Sequence, residues 1–311
     1  MRTAFIQELI QQARLHPEVF LVVGDLGFSV VEPFAKEFPD RYLNAGIAEQ
    51  NMTGVAAGLA SEGYHVFTYS IANFPTFRCL EQIRNDVAYH NLPVTVVSVG
   101  GGLAYGSLGY SHHAVQDYAV MRPLPGMTIA APGDPWETRA SVQWLCENPR
   151  PSYLRLGKAG EPVFHSAQPP LAPGSLLLVK AAASKAKAKA KAKGIFLTTG
   201  AALGYALEAA ASPLLEGGWS VYSLPVWGET VKNAVAEALR AHVCVVVVED
   251  HLEAGGFGSF IREAMRGDTH VALRTLSLDP KVCGTVASQT ALNKLGGLDA
   301  SCLIQAALTL P

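Results

Sequence analysis

Along the chain, short runs of apolar, β-branched residues alternate with stretches in which apolar positions recur every three or four residues. The runs are "FLVVGD" at 20–25, "VTVVSVG" at 94–100, "SYLRL" at 152–156, "GIFLTTG" at 194–200 and "VCVVVVED" at 243–250. Strands so continuously apolar need cover on both faces, which the intervening helices supply. The pattern predicts an α/β protein of two doubly wound domains with largely parallel sheets.

Between Gly157 and Gly194 the rhythm lapses into "EPVFHSAQPPLAPGS" and then "KAAASKAKAKAKAKG". Composition of this kind cannot bury a core, so it marks a boundary. The expected division is a first domain over 1–160, a Pro-rich and Lys-Ala linker over 161–193, and a second domain over 194–311. Lys185, Lys187, Lys189, Lys191 and Lys193 alternate without interleaved aromatics, which reads as a solvated hairpin or loop rather than a nucleic-acid arm.

Composition narrows the function. A chain of 311 residues, 49% hydrophobic and 16% charged, has material for two packed domains. Its formal net charge of -2 gives no broad attraction to nucleic acid or to an anionic membrane. The five cysteines are scattered and form no CxxC pair, so neither a disulfide framework nor a zinc site is expected. The first twenty residues carry helical spacing rather than a leader's continuous apolar core, and no apolar run is long enough to span a bilayer. The expected compartment is the cytoplasm.

One stretch stands apart. In "YLNAGIAEQNMTGVAAGLASEG", Tyr42 to Gly63, a single carboxylate, Glu49, opens a helix made largely of small residues. Gly54 and Gly58 cost helix stability, which close approach to another element would offset; a tight internal crossing is the plain reading of the glycines alone. Glu49 either complements the helix dipole or serves chemistry, because an unpaired carboxylate among apolar residues is costly to bury.

The segment "RYLNAGIAEQNMTGVAAGLASEGYHVFTYS" resembles the part of transketolases that carries the glutamate contacting the aminopyrimidine ring of thiamine diphosphate. The resemblance continues through "FRCLEQIRNDVAYHNLPVTVVSVGGGLAYGSLGYSHHAVQDYAVMRPLPGMTIAAPGDPWE" to "PSYLRLGK", and "VVVVEDHLEAGGFGS" resembles the family's third domain. It implies that 1–160 is a pyrimidine-binding domain and 194–311 a transketolase C-terminal domain. It also implies that Glu49 hydrogen-bonds the pyrimidine and fixes its reactive tautomer.

By the same resemblance, Phe74 and Phe77 occupy aromatic positions that embrace the pyrimidine, with Ile71 in place of a third aromatic; their spacing of three predicts one helical face. His112 matches a histidine near substrate hydroxyls, His113 follows it, and Arg155 aligns with an arginine that binds substrate phosphate. The two histidines also allow a surface pair or metal ligands, and Arg155 a structural ion pair. Two polar positions of ordinary transketolases are changed: Leu108 replaces an aspartate and Gly100 a histidine. This leaves room for substrates other than the usual sugar phosphates.

The family's diphosphate-binding motif is missing. Gly24-Asp25-Leu26 with Asn51 imitates it, but Leu26 takes the place of a glycine and Asn51 falls in the Glu49 helix, which leaves Asp25 a structural or interface role. The resemblance therefore implies a split enzyme. A second, N-terminal subunit would hold the diphosphate and its divalent metal (magnesium), and pyrimidine domains would pair, giving a heterotetramer acting on small sugars. The alternatives are a 2-oxoacid dehydrogenase β-like subunit, a deoxyxylulose-phosphate-synthase-like subunit, and a non-catalytic scaffold or regulatory partner.

Overall fold

In the computed structural model, which describes residues 1–182 and 192–310, every apolar run noted above is a strand. The strands are β1 (Val19–Val23), β2 (Tyr42–Asn44), β3 (His65–Ile71), β4 (Val94–Val99), β5 (Thr128–Ala130), β6 (Ser152–Leu156), β7 (Leu177–Lys180), β8 (Gly194–Thr198), β9 (Trp219–Ser223), β10 (Val226–Trp227), β11 (Cys244–Leu252) and β12 (Ala272–Leu278). One sheet runs β10-β5-β6-β4-β3-β1-β2 and the other β12-β11-β8-β9-β7. Among the described residues, only the strand pairs β10–β5 and β7–β9 are antiparallel. The fold is α/β with two mostly parallel sheets, as the pattern predicts.

Two details depart from the expected boundaries. "LLVK" at 177–180, inside the expected linker, is an edge strand of the second sheet, because its short apolar run pairs with β9. Conversely, Val226 and Trp227 leave the second domain to pair with Ala130 and Ile129 of the first sheet. Most of the Lys-Ala tract lies outside the described residues; at its end, Lys193 pairs with Glu216 at 2.9 Å.

The two halves share a core. Val96, Tyr118, Ile129 and Tyr153 from the first pack with Ile195, Val245, Phe257 and Phe260 from the second. Trp227 bridges them: its ring lies 5.3 Å from Tyr118 and 5.0 Å from Phe260, and its indole N–H donates to Thr199 Oγ1 at 3.0 Å. Local signals place the elements around this core. Asp134 caps the helix Pro135–Glu147 through Glu137 N at 2.8 Å, with proline at the first helical position, and Asp299 caps Ala300–Leu308 through Cys302 N at 2.9 Å.

Beside the shared core lies a buried ionic cluster. Arg155, on β6 and 3% exposed, donates from Nε to Asp117 Oδ2 at 2.7 Å and from Nη1 to Asp250 Oδ1 at 2.6 Å. Its Nη2 donates to the carbonyls of Ala114 (2.8 Å) and Asp250 (3.2 Å), and Tyr153 adds a hydroxyl donor to Asp117 at 2.6 Å. Burial pulls the Arg155 pKa down, and the two carboxylates outweigh it and drive the value well above the ordinary one. Nearby, Glu249 accepts the first amides of the helix Phe257–Ala264, from Phe257 (2.6 Å) and Gly258 (2.9 Å). Glu249 and His251 thus sit buried on β11, an inner strand of the second sheet.

Two stability tests follow from these groups. Arg155→Met strands two buried carboxylates and lowers unfolding stability by about 3–5 kcal/mol in urea titrations; a loss under about 1 kcal/mol contradicts the role assigned to the cluster. Burial, partly opposed by the two amide hydrogen bonds, raises the Glu249 pKa from 4.5 to about 8. The folded chain therefore holds a proton that the unfolded chain releases between these values. The resulting stability is complete below pH 4.5 and is lost as pH rises through about 8. Glu249→Gln flattens that part of the stability–pH curve.

Candidate active site

In an open parallel sheet the carboxyl ends of the strands are the usual place for a ligand. β1 ends before Gly24, and an added Cβ at Gly24 would stand 3.5 Å from Glu49 Cγ, Met52 Sδ and Ser70 Oγ. Glu49 is the first residue of the helix Glu49–Ser61, whose N-cap, Ala48, offers no side-chain acceptor. A carboxylate in that turn complements the unsatisfied amides. It is 2% exposed, and among the described residues the buried Ser70 hydroxyl has no hydrogen-bond partner.

The carboxylate is not alone among apolar groups. Arg78 Nη1 donates to Glu49 Oε2 at 2.8 Å, and the Arg78 backbone carbonyl accepts from Gln50 Nε2 at 3.1 Å. The guanidinium lies 5.2 Å from the Phe74 ring centroid, and Phe74 meets His112 edge-on at 5.4 Å. Glu49, Arg78, Phe74 and His112 thus form a continuous line of contacts. The sequence reading missed Arg78, although it directly follows Phe77, because nothing in the local pattern distinguishes this arginine from a surface one.

A cleft of about 550 Å³ lies between the 73–78 turn and the 110–116 loop, with Phe74 and Phe77 on one wall. Ile71 does not share their face. It is the last residue of β3, and residues 72–79 form turns, so the predicted helical stripe does not exist. Asn73 fastens the two walls, donating from Nδ2 to the carbonyls of Ser111 (2.9 Å) and His113 (3.1 Å). The neighbouring histidines differ. His112 is partly open, with Nδ1 3.0 Å from Ser111 Oγ. His113 is buried, with Nε2 3.2 Å from the Gly106 carbonyl oxygen.

Arg155 is placed elsewhere. All its donor nitrogens are engaged within the buried cluster, so the expected contact to a substrate phosphate has no free donor to make it. Its bond to the Ala114 carbonyl instead anchors the loop that carries both histidines. Asp25 accepts a hydrogen bond from Asn44 Nδ2 at 2.9 Å. Gly54 and Gly58 are exposed and would meet nothing within 4 Å, so they make no close crossing among the described residues.

The chain is similar to several known proteins. Residues 1–160 match the family described as "Transketolase, pyrimidine binding domain". A subunit of the apulose-4-phosphate transketolase of Phocaeicola vulgatus is 33% identical over 275 residues, covering 85% of this chain and 83% of that protein. A 1-deoxy-D-xylulose-5-phosphate synthase of Kitasatospora griseola is 31% identical over 94% of this chain but 44% of its own length. A solved structure titled "Split gene transketolase, inactive beta4 tetramer" superposes with a TM-score of 0.83 at 31% identity, covering 99% of this chain and 96% of that one. With its fold, its Glu49 helix and these likenesses in agreement, the chain belongs to the transketolase family, in the form whose subunits are encoded separately.

Proposed function

We propose that this chain is the C-terminal subunit of a two-component transketolase, moving a two-carbon ketol unit from a ketose donor to an aldehyde. The observation that carries the reading is the buried Glu49 at a helix mouth, linked through Arg78 and Phe74 to His112. Its residues fit the pyrimidine half of thiamine diphosphate: a buried carboxyl, an unpartnered Ser70 hydroxyl beside it and two accessible aromatic faces. When bound, the cofactor supplies the electron sink for breaking a carbon–carbon bond next to a carbonyl.

The chain's own part is positioning and proton transfer. Glu49 hydrogen-bonds the pyrimidine, and Phe74 and Phe77 hold its flat faces. Ser111 fixes His112 through Nδ1, leaving Nε2 to exchange a proton with a substrate hydroxyl. His113, bound to Gly106 through Nε2, borders the cleft beside it. The diphosphate and its divalent metal belong to a separate N-terminal subunit. The exposed Gly54/Gly58 face of the Glu49 helix is the surface through which pyrimidine domains pair, giving a heterotetramer; that the similar structure is a β4 tetramer supports self-association of such chains.

Among the described residues no helix is long and apolar enough to cross a membrane. Cys79, Cys146 and Cys302 are thiols, in keeping with a cytoplasmic enzyme. The likeness to the synthase favours one second reading, condensation of a 2-oxoacid with an aldehyde. Pyruvate consumption by the assembled enzyme separates the two.

The purified chain should be inert alone and should acquire ketol transfer when mixed with its diphosphate-binding partner. In that mixture Glu49→Ala lowers turnover by more than about a hundredfold, and undiminished turnover sinks the assignment. His112→Ala should lower kcat by about 10²-fold in the same assay; undiminished turnover removes His112 from proton transfer.

A further inference from the structure

The turn that follows β3 carries more than the two phenylalanines. Its own bonds brace it: Phe74 N donates to the Ile71 carbonyl at 2.9 Å, Phe77 N to the Asn73 carbonyl at 3.2 Å, and Thr76 Oγ1 to the Ala72 carbonyl at 2.6 Å. Asn73 stands on this post and lines the cleft beside Phe74. Its side-chain amide reaches across to two carbonyls, those of Ser111 at 2.9 Å and His113 at 3.1 Å. The residue between them is His112.

The partners settle which way the amide points. Both are carbonyl oxygens, which need a donor, so the nitrogen faces the loop and the oxygen cannot take its place. That oxygen, Asn73 Oδ1, is buried and has no hydrogen-bond partner among the described residues. An unpaired buried acceptor is costly, and here the two bonds to the histidine loop offset the cost.

Those bonds act on one residue in particular. His112 ends the 3₁₀ turn Tyr110–His112, and the last carbonyls of a helical turn lack partners inside it. Asn73 supplies a donor on each side of His112, which fixes the histidine backbone relative to the Phe74 turn. The ring is held in addition by Ser111 Oγ, 3.0 Å from Nδ1, and by the edge-on contact with Phe74 at 5.4 Å.

We propose that Asn73 is a positioning residue: it keeps the His112 imidazole in register with Phe74, and so keeps proton transfer in register with the wall that holds the pyrimidine. This rests on the transketolase reading above. No local pattern in the chain points to it, because the partners lie 38 and 40 residues away.

Asn73→Leu keeps the size of the side chain and removes both donors; Asn73→Asp keeps its shape and sets an oxygen against the two carbonyls. In the chain alone, the nuclear Overhauser contact between the His112 and Phe74 rings should disappear in both variants, the His112 signal being identified by its loss in His112→Ala. In the complex with the diphosphate-binding subunit, Asn73→Leu should lower kcat about tenfold and change KM less than about twofold, and Asn73→Asp should give the same pattern. In a His112→Ala background either substitution should lower kcat no further, because its effect passes through that ring. A general loosening of the cleft would cost the same factor in both backgrounds. Equal losses in the two backgrounds, or ring contacts that persist in both variants, overturn the proposal. An unsubstituted complex without ketol transfer overturns the transketolase reading and this assignment with it, and is told apart because the wild type itself fails.

Discussion

A guanidinium that is 3% exposed must be neutralised where it lies, and the geometry around Arg155 follows from that requirement. One carboxylate comes from Asp117 in the first half of the chain and the other from Asp250 in the second. Satisfying the charge therefore fixes the relative position of the two sheets at one point. The shared apolar core around Trp227 supplies the area; the cluster supplies direction, since its hydrogen bonds tolerate little displacement.

The same cluster reaches the site. Arg155 Nη2 holds the Ala114 carbonyl, Ala114 and Gly102 pair as an isolated bridge, and Leu252 N donates to the Val115 carbonyl at 2.9 Å. The loop between Gly102 and Ala114, which carries Tyr105, His112 and His113, is thus pinned at its base by both domains. Glu49 and Phe74 depend instead on the β1–β3 edge of the first sheet. The crevice forms where these two supports meet, which gives the second domain a mechanical part in a site whose side chains all come from the first.

The sequence made the strands readable because buried parallel strands carry an unbroken apolar signal. Glu49 was readable because a lone acid in a small, apolar helix is out of place, and Phe74 and Phe77 because the resemblance covers their turn. Arg155 was not: its partners are 38 and 95 residues away, and no local pattern distinguishes an arginine that grips two domains from one that grips a phosphate. Ile71 was misjudged because a spacing of three was read as helix where a strand ends and turns begin. The strand at Leu177–Lys180 was hidden by the low-complexity residues on either side.

If Arg155 and Asp250 hold the histidine loop, loosening one should loosen the other. Hydrogen exchange of the Ala114 and Leu252 amides in Asp250→Asn measures this directly. Exchange at both should quicken by at least about tenfold while amides of the helix Glu49–Ser61 keep their wild-type protection. Unchanged exchange at Ala114 would contradict the account, and the loop's placement would then have to be ascribed to apolar packing alone.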